Sequence, residues 1–177
     1  FEQAIKMSNS VADMSKMLGM SVKEGAALMG TLTEIGGLSE ESALQLASAT
    51  DQLATANGVA PGAVMKDIQK NTKQFAKFMK DGGKNIARAA IFAKKLGSDL
   101  ETIAGVADSL LDFQNSLNAE YEASAIIGKR LNFQKARELA LNNDIEGAMG
   151  SILEQLGGEE EFNKMNVIQR KALADSI

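Results

Sequence analysis

The chain has 177 residues, 45% of them apolar and 24% charged, with a net charge of −4, the balance of a folded globular protein rather than a disordered one. It has no cysteine, histidine or tryptophan, which excludes a Cys/His zinc site, a disulfide and any nucleophile that depends on a histidine base. The longest charge-free stretch, Gln52 to Met65, is fourteen residues broken by Asn57-Gly58 and Pro61, short of the roughly 20 apolar residues that a membrane-spanning helix needs.

Read from the start, the pattern predicts helices over 2–18, 22–35, 40–56, 61–81, 84–96, 99–127, 133–142, 145–156 and 167–177. Ser21 with Glu24, Ser98 with Glu101 and Asn166 with Gln169 fit the capping box, in which two side chains satisfy orphan donors of a first helical turn. Pro61 suits a first turn, where its missing N–H costs nothing. Gly19, Gly37, Gly58, Gly83, Gly97, Gly128 and Gly157 stand where helices end in a left-handed residue. Val, Ile and Thr never gather into an alternating run, so the expected class is all-α, with short-to-medium helices packed as a bundle or a short solenoid. Two helical regions, 1–97 and 98–177, or one continuous domain are expected. The chain opens on Phe1, and both ends lie in helix-like text without a cap, so it is expected to be a piece of a longer polypeptide. Gly19, Gly58 and Gly97 are 39 residues apart in both steps, but only the glycine and its apolar surroundings recur. Coincident helix lengths account for that spacing.

Charge gives the sharpest pattern. Lys66, Lys70, Lys73, Lys77, Lys80 and Lys84 are spaced 4, 3, 4, 3 and 4, which places all six on one face of a continuous helix. Met65, Ile68, Phe75 and Met79 fall on the other side. Residues 66–95 carry nine positive and two negative charges, and the remainder carries ten and twenty-one. Such a stripe is a solvated face, a contact for a polyanion such as DNA, or a docking face for an acidic surface. A membrane-surface helix is disfavoured because Gly82-Gly83 splits it. No aromatic residue interleaves the lysines, which disfavours single-strand stacking.

No catalytic residue, metal site or cofactor is expected. Glu101, Asp108 and Asp112 share a helical face and Glu159-Glu160-Glu161 form a run, but nothing signals the cleft that acid–base work or a divalent ion needs. Met14, Met17, Met20, Met29 and Met149 read as core filler.

Gly128-Lys129 invites comparison with the phosphate loop G-x-x-x-x-G-K-[ST]. Position 123 is alanine, position 130 is arginine and no strand precedes them, so the match fails. A corner between helices fits better: Ile126 and Ile127 end an apolar face, Gly128 turns the chain, Asn132 caps the next helix, and Phe133, Ala136 and Ala140 share a face. Asp144 then caps the helix after that.

The wording of "LLDFQNSLNAEYEASAIIGKRLNFQKARELALNNDIEGAM" (110–149) and "EFNKMNVIQRKALADSI" (161–177) resembles a segment of bacteriophage tail tape-measure proteins. The preceding "GGKNIARAAIFAKKLGSDLETIAGVADSLLDF" (82–113) continues in that style, whereas 1–81 are only generically similar. The resemblance implies a structural, non-enzymatic module of a virion protein in the tail tube near the tip. It would act in tail assembly and length determination and leave the tail with the DNA. The implied partners are other copies of the chain, tail-tube and tail-tip or hub proteins, and DNA through non-specific contact. Synthesis would occur in the bacterial host cytoplasm. The alternative is a helical binding module that turns the lysine stripe to nucleic acid or an acidic protein.

Overall fold

The computed structural model describes residues 2–79 and 81–176, and the side chains within them except those of 2–6, 159, 170, 171 and 174–176. Twelve α-helices and no strand are found among them. They divide into two compact units, Phe1–Glu101 and Thr102–Ile177, with the boundary four residues beyond the one drawn from the sequence.

Unit 1 contains α1 (Glu2–Leu18), α2 (Val22–Gly30), α3 (Glu40–Ala56), α4 (Pro61–Lys70), α5 (Thr72–Phe78) and α6 (Lys84–Lys95). A π-helical turn over Thr31–Ile35 extends α2, and a 3₁₀ turn over Asp81–Gly83 precedes α6. α1 packs on α2 and α3, while α4 and α6 pack on each other and on α3. Small residues permit the tightest contacts. A Cβ on Gly62 of α4 would stand 2.5 Å from the Leu18 carbonyl at the end of α1, and one on Gly25 of α2 would collide with the Ser15 hydroxyl. Met14, Leu28, Leu32, Met65, Ile68 and Phe75 are among the fully buried side chains. Met17 is exposed, because it lies off the stripe of Val11, Met14, Ser15 and Leu18 that α1 turns inward. Met20, Met29 and, in unit 2, Met149 are buried as expected of core filler.

Unit 2 takes in α7 (Leu100–Leu111, which starts in the last two residues of unit 1), α8 (Phe113–Ile127) and α9 (Gln134–Leu141). It continues with α10 (Ile145–Leu156), α11 (Glu159–Lys164) and α12 (Val167–Ser176). α8 and α9 form a helical hairpin tied by bonds of Phe133 and Arg137 to Glu120 and Ser116, α10 packs on α9, α11 on α10, and α12 returns to pack on α8.

Helix ends follow local chemistry. Every glycine expected at a helix terminus has positive φ. At Gly19, Gly58 and Gly97 the closures are the same: the following residue's N–H reaches back to Ser15, Ala54 and Ala93 at 2.8, 2.9 and 2.8 Å. Asn143, at φ 60, takes the glycine role after α9, with the Asp144 N–H donating to the Leu139 carbonyl at 2.8 Å. The Ser21/Glu24 box and the Asn166/Gln169 pair form with both of their bonds. The Ser98/Glu101 box is displaced, since α7 begins at Leu100 and that residue's N–H donates to Asp67 Oδ2 at 2.9 Å.

Three expected elements differ. The helix read over 61–81 breaks at Asn71 (φ −107, ψ 49), whose side-chain amide donates to both the carbonyl and Oδ1 of Asp67, and it ends at Phe78. The helix read over 99–127 breaks at Asp112, whose side chain accepts the Asn115 N–H and so starts α8. Asp112 therefore does not continue a helical face with Glu101 and Asp108. α11, Glu159–Lys164, lies where no helix was expected.

Candidate functional site

The lysine stripe is divided between helices. Lys66 and Lys70 belong to α4, Lys73 and Lys77 to α5, and Lys84 opens α6. Lys80 lies outside the described residues. Because the backbone leaves helical geometry at Asn71, the 4-3-4-3-4 spacing does not run along a single axis. Lys66 is half-buried, and its Nζ lies 2.8 Å from Glu24 Oε1 on α2. That hydrogen bond, with those of the Ser21 backbone and hydroxyl, lowers the Glu24 carboxyl to about 2. Lys70, Lys73, Lys77 and Lys84 are exposed. The Lys77 ammonium stands 5.0 Å from the centre of the Phe78 ring. On the opposite side Met65, Ile68 and Phe75 are buried, and Met79 is half-buried at the end of α5.

Sequence reasoning missed an acid beneath this surface. Asp67, 6% exposed, accepts from the Leu100 N–H and the Asn71 amide and pairs with Lys94 at 3.0 Å. It joins α4, α6 and the start of α7 within unit 1, so it is a tie between helices rather than a reactive group.

Unit 2 holds a second buried pair and an open groove. Arg137 of α9, 5% exposed, donates to Glu120 Oε2 at 2.7 Å and to Ser116 Oγ at 2.9 Å. Glu120, 7% exposed, also accepts the Phe133 N–H at 2.8 Å. Phe133, Ala136 and Ala140 are buried, as the corner reading expected. Gly128 ends α8 at φ 75, Asn132 Oδ1 accepts the Gln134 N–H, and Asp144 caps α10 through Gly147. Ile126 is exposed rather than the end of an apolar contact face.

The polarity of α8 is therefore inverted. Its buried face carries Ser116, Glu120 and Ala123, while Phe113, Leu117 and Tyr121, spaced i, i+4 and i+8, are exposed. These three, with Leu141 across the hairpin, line a groove of about 1000 Å³ that also borders Lys129 and Arg130. Tyr121 is 73% exposed. A signal in the sequence could have revealed the stripe, because Phe113, Leu117 and Tyr121 recur every fourth residue, but their exposure follows only from which face Arg137 draws inward.

Glu101 and Asp108 are exposed, and Glu161 accepts from Lys164 at 2.6 Å, which lowers its carboxyl. Among the described residues no three acidic side chains converge as a metal site would require. No described helix is long and apolar enough to cross a membrane. No protein-family model, curated protein or solved structure matches this chain.

Proposed function

We propose that the chain is a structural helical module of a phage tail tape-measure protein, located in the tail tube near the tip, acting in tail assembly and length determination and released with the DNA. The reading is carried by the wording of 82–177, the stretch that resembles that family. Two features support a role in binding rather than chemistry. The recognisable polar clusters, Asp67 with Lys94 and Glu120 with Arg137, are consumed in holding helices together. The conspicuous surfaces, a lysine-rich face and an apolar groove, suit macromolecular partners. Tail-tube, hub or sister chains are the partners this role calls for.

Mass spectrometry of purified virions from the source, with immunogold labelling by antibody to this chain, tests the reading. Peptides of the chain in virions and label near the tail tip are expected. Peptides confined to the host-cell fraction, with none in virions, overturn it.

A second reading is favoured by the exposure of Lys70, Lys73, Lys77 and Lys84: a module that turns this face to nucleic acid or an acidic protein. The break at Asn71 makes the face a cluster on successive short helices rather than a rod, which suits a curved or irregular polyanion better than the phosphate row of one groove.

A further inference from the structure

The α8–α9 groove presents an unusual combination of walls. A helix ordinarily turns its apolar stripe to the core and its polar stripe to water. α8 does the reverse along this stripe, and its inward face carries Glu120, ion-paired with Arg137, beside Ser116 and Ala123. Phe113, Leu117, Tyr121 and Leu141 are thus left in water, each more than two-fifths exposed. Contiguous exposed aromatic and aliphatic side chains at helical spacing mark a surface meant to be covered.

The secondary structure of the occupant follows from hydrogen bonding. Apart from the connecting loop at one end, the walls are helices, whose backbone donors and acceptors are paired internally. An extended segment laid in the groove would lose water from its own N–H and C=O groups without finding partners in the walls, at a substantial desolvation cost. A helix arrives with its backbone already paired. α8 has fifteen residues and so spans about 22 Å, room for about four turns of a partner.

Charge sets the polarity of that partner. Glu120 and Arg137 neutralise each other at the floor and ask for no counter-charge. Lys129 and Arg130 stand at the hairpin end, beside the N-terminus of α9 and its positive dipole. The Lys129 charge is partly answered by Glu161 of α11. Arg130 is exposed and has no ion-pair partner among the described residues. Glu138 is the remaining charged side chain on the lining, and it sits a full turn into α9.

We propose that the α8–α9 groove docks an amphipathic α-helix of another protein, its apolar residues laid against Phe113, Leu117 and Tyr121 and its acidic end against Lys129 and Arg130. The docking does not depend on which assembly the chain serves. Failure to find the chain in virions leaves it standing, and failure of docking leaves the virion role standing.

The chain contains one tyrosine and no tryptophan, so Tyr121 is a built-in reporter of this groove. The probe is a fluorescein-labelled 15-residue helix of Leu, Ala, Gln and Glu, with Leu at i, i+3, i+4, i+7 and i+11 and two Glu at one end. A second peptide carries Lys in place of those Glu, and a third has its Leu positions scrambled. With the 177-residue chain at low salt, the acidic peptide is expected to bind saturably. The Lys-ended peptide should bind roughly tenfold more weakly, and the scrambled one not at all. Binding should protect Tyr121 from acrylamide quenching in parallel with peptide anisotropy. Leu117→Glu should abolish binding, and Arg130→Glu should reverse the preference between the two charged ends. Arg130 lies in an exposed turn, so that variant remains informative if Leu117→Glu disturbs the fold; circular dichroism monitors both.

No saturable binding, or binding that leaves Tyr121 quenching unchanged, overturns the proposal. So does a chain dimer that Leu117→Glu dissolves and the peptide cannot displace, because the groove then belongs to a second copy. Protection of Tyr121 by neutral phospholipid vesicles but not by the acidic peptide overturns it in favour of a lipid surface.

Discussion

Replacing Arg137 with methionine is expected to destabilise unit 2 by about 3–5 kcal/mol, the usual cost of stranding one partner of a buried ion pair. The structure shows why the cost should be that large. Glu120 would stay 7% exposed with only the Phe133 N–H, 2.8 Å away, to answer its charge, and Ser116 would lose its donor. Glu120→Leu should cost a similar amount by stranding the guanidinium. The double variant Glu120→Leu/Arg137→Met removes both charges and leaves two neutral buried polar groups without their partners, the Phe133 N–H and the Ser116 hydroxyl, at about 1–3 kcal/mol each. From the middle of these ranges the two changes should therefore couple by about 4 kcal/mol. Urea unfolding supplies the measurement, followed by far-UV circular dichroism and by emission of Tyr121, which reports on unit 2 alone. A cost below about 1 kcal/mol for Arg137→Met, or a double variant that loses the full sum of the singles, would refute the view that this pair organises the hairpin.

Gly62→Ala should destabilise unit 1 by about 1–3 kcal/mol, because its Cβ would meet the Leu18 carbonyl of the neighbouring helix. Gly150→Ala, inside α10 with open space around the new Cβ, should instead stabilise by about 0.5–1 kcal/mol; thermal unfolding of both variants decides the signs. The Glu24 carboxyl should titrate near 2 by carbon-detected NMR and move up toward 4.5 in Lys66→Ala, where its largest source of stabilisation is gone. Because the folded value is depressed, the contribution of Glu24 to stability is present above 4.5 and disappears as pH falls from 4.5 toward 2. Changing Lys70, Lys73 and Lys77 together to Glu should abolish low-salt retention on random-sequence DNA without altering helix content. With lysine-to-glutamine changes instead, each lysine withdrawn from a phosphate should reduce the slope of log affinity against log salt by about 0.9. Retention that survives all three reversals identifies the lysines as a solvated face.

Punctuation was the most legible layer of this sequence. Glycines at helix ends and the Ser21/Glu24 and Asn166/Gln169 pairs act within a few residues, so their chemistry is written locally. The breaks at Asn71 and Asp112 were not legible in that way. Both residues occur in unbroken helix as well as at caps, and what decides here is a side chain bonding to its own turn. Burial of charge was the least legible layer. Asp67 sits between lysines in the sequence, yet it is held inside by the Leu100 N–H, 33 residues away. Glu120 and Arg137 likewise read as surface residues until the hairpin brings them together. The groove went unread for the same reason, since the exposure of Phe113, Leu117 and Tyr121 depends on where that pair lies. The lysine spacing reads as one rod, and the helix breaks divide it.

The return of α12 to pack on α8 has a consequence for synthesis. Phe113 leaves the ribosome 54 residues before Val167, the first residue of the helix that covers α8, so at about 5–20 residues per second the uncovered interval lasts about 3–11 s. The hairpin of α8 and α9 needs only the residues through Arg137 and can close its ion pair about halfway through that interval. From then on α8 is tied to α9 but bare on the side α12 will occupy, in addition to the stripe of Phe113, Leu117 and Tyr121. A nascent chain in this state exposes its apolar stripe together with the α8 surface that α12 covers later, and only the second is withdrawn when α12 arrives.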